Sequence, residues 1–282
     1  MIFASDLDQT LIYSKRSSRV GPGEKWPDTI LAEILEEREI SYMTSEAAAL
    51  LKKVNGMMTF LPVTTRTIEQ YKRIFFISEV IQPKAAVTSN GGNILIDGKA
   101  DEDWKRRIAG RLIGESSPKE DIQKEFGRLS HSNWIIEERT ADDLFHYYLI
   151  QQNLAPRDEI EQFKKVAAAM GWNLSLQGRK LYFVPQCVNK WEAVAYLKDV
   201  LREDVIAAAG DSMLDLCMLE AADYAIAPCH GELNIMPDSP AGTLLRTEQK
   251  GIKAAEDILK HVLKVYEEHK MNVHGASISS GK

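Results

Sequence analysis

The chain has 282 residues, of which 44% are hydrophobic and 27% are charged, which predicts a folded protein of one large or two smaller domains. The formal net charge is −6 and the basic residues are scattered, which argues against nucleic acid as a partner. The three cysteines lack metal-site spacing, and no leader-like or membrane-length apolar run is present. These features predict a soluble, cytoplasmic protein without a membrane partner.

Strand-like and helix-like patterns alternate in the first third of the chain and again after residue 184, which predicts an α/β core with a parallel sheet. The strands of this core are predicted at residues 1–4, 58–63, 85–88, 205–209 and 224–227, and its helices at 45–54, 68–77, 191–201, 214–221 and 252–265. Segment 30–42 is compatible with either a helix or a pair of strands. The tail from His269 is expected to be polar and frayed.

The middle of the chain has a different pattern. Its predicted helices are at 118–129 and 156–170, and its predicted strands at 134–138, 144–151, 172–176 and 180–184. Gln177-Gly178-Arg179 is typical of a hairpin turn, and hairpins indicate a mixed or antiparallel sheet. Residues 93–183 are therefore predicted to form a separate module, with Trp134 and Trp172 in its core, inserted into a discontinuous core of residues 1–92 and 184–282.

Two aspartates, Asp6 and Asp8, follow the first predicted strand directly. Carboxylates are rarely buried unless they are paired or metal-bound. The pair is therefore either a loop after an edge strand or a reactive pair at the carboxyl end of a strand. Asp101 and Asp103 have the same spacing without a preceding apolar strand, and we expect a solvated loop there.

A second acidic motif, Asp211 and Asp215, follows the predicted strand 205–209. Ligands of open α/β sheets bind beyond the carboxyl ends of the strands. If the two strands are neighbours, these acids converge with Asp6 and Asp8, and their like charges resist joint ionisation. A divalent cation would relieve this repulsion, and all-oxygen ligands favour Mg²⁺ over zinc. The alternative is two unrelated strand-end acids, one of them a helix cap.

Two further motifs could bind phosphate. Thr64 lies between the predicted strand 58–63 and a helix, where a hydroxyl and backbone amides suit a phosphate oxygen. The alternative is that Thr65 or Thr67 merely caps that helix. Lys190 lies at a predicted helix start, where the macrodipole disfavours a cation. It therefore either pairs with a local anion or is an exposed surface lysine.

The order Asp-x-Asp, Thr, Lys and Gly-Asp-Ser-x-x-Asp resembles the haloacid dehalogenase (HAD) superfamily of phosphohydrolases. The resemblance covers roughly residues 1–92 and 184–265, and the insert resembles the type C2 cap of the Cof-like and sucrose-phosphatase-like branch. It implies a Rossmann-like three-layer core with an inserted α+β cap domain. The chain differs from the usual motifs at Gln9 and Thr65, which replace glycines, and at Leu214, which replaces an asparagine.

The resemblance implies a magnesium-dependent phosphatase of a small phosphorylated metabolite such as a sugar phosphate. It implies that Asp6 is the nucleophile of an aspartyl-phosphate mechanism and that Asp8 is the general acid and base. It further implies that Mg²⁺ is held by Asp6, the Asp8 carbonyl and Asp211, with Asp215 in support. The residues implied to contact the phosphoryl group are Thr64, Thr65, Arg66, Asn90 and Lys190.

Other interpretations remain open. Arg139, His146, Arg179 and Lys180 are candidates for contact with the leaving group, or they are polar residues of a solvated sheet face. A sugar phosphomutase of the same fold, or a catalytically idle protein that binds a phosphorylated metabolite, would share the motifs. Response-regulator receivers also combine acids, Thr and Lys around magnesium, but they are shorter and carry their phosphorylated aspartate on a middle strand. Ser212 lacks the closing glycine of a serine-nucleophile motif.

Overall fold

The computed structural model describes residues 1–129, 133–235 and 244–279. Its strands are β1 (Ile2–Ser5), β2 (Thr29–Leu35), β3 (Arg38–Thr44), β4 (Thr59–Pro62), β5 (Ala85–Thr88), β6 (Asn93–Ile96), β7 (Lys99–Ala100), β8 (Ile135–Ala141), β9 (Phe145–Ile150), β10 (Trp172–Gln177), β11 (Lys180–Pro185), β12 (Ile206–Ala209), β13 (Tyr224–Ala227) and β14 (Leu244–Arg246). Its α-helices are α1 (Ser45–Met57), α2 (Ile68–Lys72), α3 (Glu102–Glu115), α4 (Lys119–Gly127), α5 (Arg157–Ala169), α6 (Lys190–Leu201), α7 (Leu216–Ala221) and α8 (Ala254–Ser279).

The centre of the molecule is a parallel sheet with the strand order β14-β13-β12-β1-β4. Ser5 at the end of β1 pairs with Ala209 of β12 on one side and with Pro62 of β4 on the other. The first strand and strand 205–209 are therefore neighbours, which is the condition under which the acids of the two motifs are expected to converge. Since the strands run in the same direction, their carboxyl ends meet at one edge of the sheet.

Helices cover both faces of this sheet because its strands are apolar on both sides. Alternate residues of a strand face opposite sides. Phe3 belongs to a buried cluster with residues of α1 and α8, whereas Ile2 belongs to a second cluster with residues of α3 and α6. This arrangement confirms the predicted three-layer α/β core.

A second, antiparallel sheet has the strand order β10-β11-β9-β8. It packs on α4 and α5 through an aromatic cluster that includes Trp134 and Trp172, which are buried as predicted. The two-residue turn between β10 and β11 contains Gly178, whose φ of +54° suits glycine. These elements form the inserted α+β cap, and its limits at residues 93 and 183 stay a prediction.

Two predictions of local structure are wrong. The Asp101 region is not a solvated loop, because Asp101 caps α3 and its Oδ1 accepts a hydrogen bond from Trp104 N at 2.7 Å. Acids in a first helical turn interact favourably with the helix dipole, and the same charges are also typical of a loop. The backbone from His269 to Ser279 is helical rather than frayed, consistent with the helix-forming residues that precede it.

Two other segments refine the predictions. Segment 30–42 is a pair of strands, the β2–β3 hairpin. The helix predicted at 68–77 ends at Lys72, and a π-helix (Phe76–Ile81) follows it. Within the described residues, no helix combines the length and the apolar character that a membrane crossing requires.

Candidate active site

Three buried acids meet at the carboxyl edge of the parallel sheet. Asp6 follows β1, and its backbone N–H donates to the Ala209 carbonyl of the neighbouring strand at 2.9 Å. Asp211 and Asp215 follow β12, and side-chain oxygens of the three aspartates lie within 4.8 Å of one another. The structure therefore brings together three of the four acids that the sequence motifs single out.

Lys190 lies between two of these carboxylates. Its Nζ donates to Asp6 Oδ1 at 2.7 Å and to Asp215 Oδ1 at 2.5 Å, and its side chain is 1% exposed. Burial lowers the pKa of Lys190, but the charges of Asp215 and Asp6 outweigh burial and raise it, so the ammonium stays charged. Lys190 begins α6, and the local anions explain how a cation is tolerated there.

The Gly-Asp-Ser-x-x-Asp motif folds back on itself. Asp215 Oδ2 accepts hydrogen bonds from Ser212 N at 2.9 Å and Ser212 Oγ at 2.8 Å. A Cβ at Gly210 would lie 2.4 Å from the Cβ of Asp215, so only glycine leaves room for this turn. Ser212 thus orients Asp215, a role that was not predicted, because the motif was compared only with that of a serine nucleophile.

The single ammonium of Lys190 does not balance the charges of the three buried carboxylates. Burial, followed by the charges of Asp215 and Asp8, raises the pKa of Asp6 to about 7 although Lys190 opposes the change. Burial and then Asp6 raise the pKa of Asp211 well above its ordinary value. Three carboxylates face one ammonium, and such an oxygen donor set fits a hard divalent cation such as Mg²⁺.

Asp8 lies outside this cluster and pairs with an arginine. Arg66 donates from Nε to Asp8 Oδ2 at 2.7 Å and from Nη2 to Asp8 Oδ1 at 2.8 Å. Burial raises the pKa of Asp8, but the charge and hydrogen bonds of Arg66 outweigh burial and lower it. Arg66 also binds Glu33 of the β2–β3 hairpin. Glu33 is not among the site residues predicted from the sequence, and the available signal was a single acid within the apolar run TILAEIL.

The loop that follows Asp8 is held in an unusual backbone conformation. Gln9 has φ +62°, which explains why a glycine is usual at this position of the motif. Its carbonyl accepts hydrogen bonds from Tyr13 Oη at 2.7 Å and from His230 Nε2 at 3.2 Å, while His230 Nδ1 accepts from Gly251 N at 3.0 Å. Burial lowers the pKa of His230 to about 4, so the ring is neutral at pH 7.

Thr64 and Thr65 lie near the acids, as predicted for phosphate contacts, whereas Asn90 binds the backbone elsewhere. Thr64 is buried, and its Oγ1 accepts a hydrogen bond from Arg66 N at 3.1 Å. Thr65 lines the same cleft as Asp6 and Lys190. The Asn90 side chain instead donates to the Val188 carbonyl at 3.1 Å, where the chain crosses between the core and the cap.

An open cleft of about 810 Å³ lies above the acids. The cap contributes Arg139, Tyr147, Arg179, Lys180 and Tyr182 to its lining, and segment 13–43 contributes Arg16, Arg19 and Glu33. His146 is absent from the cleft, so its proposed contact with the leaving group is wrong. Its side chain points into the cap core, where its ring stacks on Phe183 at 4.8 Å.

Solved structures with this fold include HAD phosphatases. Sucrose-phosphatase from Synechocystis sp. PCC6803, in complex with sucrose and phosphate, is 15% identical over 95% of this chain and 98% of its own, with a TM-score of 0.65. A HAD-superfamily phosphatase from Bacteroides thetaiotaomicron is 14% identical over 94% of each chain, with a TM-score of 0.54. At these identities the likeness shows a shared fold.

The family follows from the sequence itself. Residues 1–234 match the family model described as sucrose-6F-phosphate phosphohydrolase. The chain belongs to this family of the HAD superfamily, and it is a phosphoric monoester hydrolase. No curated protein sequence matches the chain significantly.

Proposed function

We propose that the protein is a Mg²⁺-dependent phosphatase that hydrolyses a sugar phosphate through an aspartyl-phosphate on Asp6. The observation that carries the proposal is the buried Asp6–Lys190–Asp215 arrangement at the carboxyl ends of adjacent strands. The family described as sucrose-6F-phosphate phosphohydrolase, and a structural neighbour solved with sucrose and phosphate, make sucrose 6F-phosphate the first substrate to test.

Asp6 and Asp8 divide the chemistry in this proposal. A carboxylate oxygen of Asp6 attacks phosphorus, and the bond from phosphorus to the sugar oxygen breaks. Asp8 enters this step in its protonated form, having exchanged a bond to Arg66 for one to the sugar oxygen, and gives its proton to the departing sugar. Water then attacks the phosphorus of the aspartyl-phosphate, Asp8 accepts its proton, and inorganic phosphate leaves with Asp6 restored. Hydrolysis therefore consumes one water and returns both aspartates to their starting states.

The other residues of the site bind and orient. Asp6, the Asp8 carbonyl and Asp211 would hold Mg²⁺, with Asp215 in support. When bound, the cation neutralises phosphate charge and aligns the phosphoryl group. Lys190 and the Thr64 hydroxyl would donate to phosphoryl oxygens as their charge redistributes. The basic and aromatic residues of the cap that line the cleft would contact the sugar.

The test is phosphate release from sucrose 6F-phosphate and a panel of other sugar phosphates, with Mg²⁺ and with a chelator. Asp6→Asn should reduce Mg²⁺-dependent release by at least about 10³-fold. Asp103→Asn is the matched control, because it alters an exposed aspartate of the second Asp-x-Asp motif. Unchanged release by Asp6→Asn would refute the mechanism. Transfer of phosphate between sugars without release would favour the phosphomutase, and tight binding without turnover would favour the idle binder.

A further inference from the structure

The β2–β3 hairpin carries a buried acid, Glu33, in an otherwise apolar stretch. The pairing register with β3 shifts on both sides of Glu33. Such a bulge re-aims a side chain, and here Ala32 and Glu33 are both buried although consecutive residues of a regular strand face opposite sides. The side chain of Glu33 is 1% exposed. A charge buried to this extent requires partners.

Its partners are two arginines and a serine. Glu33 Oε1 accepts from Arg66 Nη1 at 2.8 Å and lies 3.5 Å from Arg73 Nη2, while Oε2 accepts from Ser41 Oγ at 3.3 Å. The same guanidinium of Arg66 donates Nε and Nη2 to the two oxygens of Asp8. Because the guanidinium is planar and rigid, two carboxylates on different edges fix both its position and its plane.

The charges of this network balance, since Arg66 and Arg73 face Asp8 and Glu33. Without the charge of Glu33, Arg66 would keep Asp8 as its one carboxylate partner in the described part of the chain. The second contact of the guanidinium would then weaken, and the guanidinium would hold Asp8 more tightly. Either change makes it harder for Asp8 to protonate the leaving group, because Asp8 must exchange a bond to Arg66 for one to the sugar oxygen.

We propose that Glu33 is a positioning residue for Asp8. It orients Arg66 and shares its charge, so that Arg66 directs the Asp8 carboxylate toward the cleft without immobilising it. The inference rests on the proposed function, in which Asp8 protonates the leaving group. It gives the hairpin within segment 13–43 a role in the chemistry, and this role needs contact with Arg66 rather than with substrate.

The test compares two substrates that differ in their need for a proton. A sugar phosphate releases an alkoxide unless Asp8 protonates it, whereas p-nitrophenyl phosphate releases a stable phenolate. The quantity to compare is kcat/KM, since it reports the steps up to departure of the leaving group. Glu33→Gln should lower kcat/KM for the sugar phosphate by about 10- to 100-fold and for p-nitrophenyl phosphate by less than about threefold. Ser41→Ala should have a smaller effect in the same direction.

Glu36→Gln is the matched control, because Glu36 lies in the turn of the same hairpin and pairs with Arg38 at the surface. It should leave both substrates unaffected. In an Asp8→Asn background, Glu33→Gln should cause no further loss, since both changes disable the same group. Equal losses for both substrates, or losses additive with Asp8→Asn, would overturn the inference, as would full activity of Glu33→Gln. If Glu33→Gln does not fold, Ser41→Ala provides the test: a loss of kcat/KM confined to the sugar phosphate would support the inference, and equal kcat/KM values to wild type or equal losses for both substrates would overturn it. Wild-type protein without phosphatase activity would instead refute the proposed function.

Discussion

His146 should make the stability of the protein depend on pH. Its ring is fully buried beside Phe183 and Trp172, and neither ring nitrogen has a hydrogen-bond partner within the described residues. Burial, with a smaller contribution from Lys119, lowers its pKa from 6.5 to about 3. Burial therefore favours the neutral form of the His146 ring over the protonated form, because a buried charge without a partner is costly.

The sign and size of the effect follow from proton linkage. The unfolded chain binds a proton at His146 below pH 6.5, whereas the folded protein does so only near pH 3. The contribution of His146 to the free energy of unfolding is therefore constant above pH 6.5 and falls as the pH drops from 6.5 toward 3. The loss is about 2 kcal/mol at pH 5 and about 5 kcal/mol below both pKa values. For a chain of this size, 2 kcal/mol lowers Tm by roughly 4–8 °C.

The assay is urea unfolding of wild type and His146→Phe at pH 7.5, 6 and 5. Phenylalanine keeps the aromatic packing and removes both buried nitrogens, so the two proteins should have similar stability at pH 7.5. At pH 5 the variant should be more stable than wild type by about 2 kcal/mol. Tyr148→Phe is the control, because it changes a neighbouring ring that does not titrate in this range. An equal loss of stability in wild type and His146→Phe would refute the reasoning.

Two further predictions concern the hydrogen-bond partners of Lys190 and Asp142. Lys190→Met should lower the free energy of unfolding by about 3 kcal/mol at pH 8 in a chelator, because it leaves the carboxylates of Asp6 and Asp215 uncompensated. In urea unfolding, added Mg²⁺ should restore part of this loss. Full stability of the variant in the chelator would contradict the prediction. Asp142→Asn should destabilise by about 1–2 kcal/mol, because Oδ2 of this cap residue accepts hydrogen bonds from donors in and beside the core, including the Ile68 N–H at 3.1 Å. Thermal unfolding of Asp143→Asn in the same exposed turn provides the comparison, and equal effects of both variants would exclude a specific role of Asp142.

The parts of the site at strand ends could be predicted from the sequence. Asp6 and Asp211 each follow a short apolar strand, and the carboxyl ends of parallel strands lie at one edge whatever the loops do. The place of Lys190 at a helix start indicated either an anionic partner or an exposed side chain, and the structure shows the first of these. These inferences need only the local pattern and the direction of the strands.

The network behind Asp8 could not be predicted in this way. The contact between Arg66 and Asp8 joins residues 58 positions apart, and the contact between Arg66 and Glu33 also depends on a bulge that no local pattern marks. The prediction for His146 failed for a related reason. Its strand, β9, is buried on both faces over most of its length, so alternation does not distinguish the cleft side from the core side.

The strand order has a consequence for synthesis of the chain. One neighbour of β1 in the sheet, β4, is synthesised soon after β1 itself. The other neighbour, β12, is synthesised only after the entire cap. Lys190 comes 184 positions after Asp6, which is about 10–40 s of translation at 5–20 residues per second. During that interval the apolar β1 has an open edge, and Asp6 has neither its ammonium partner nor the other acids of the cluster. The site therefore assembles only after most of the chain has been made.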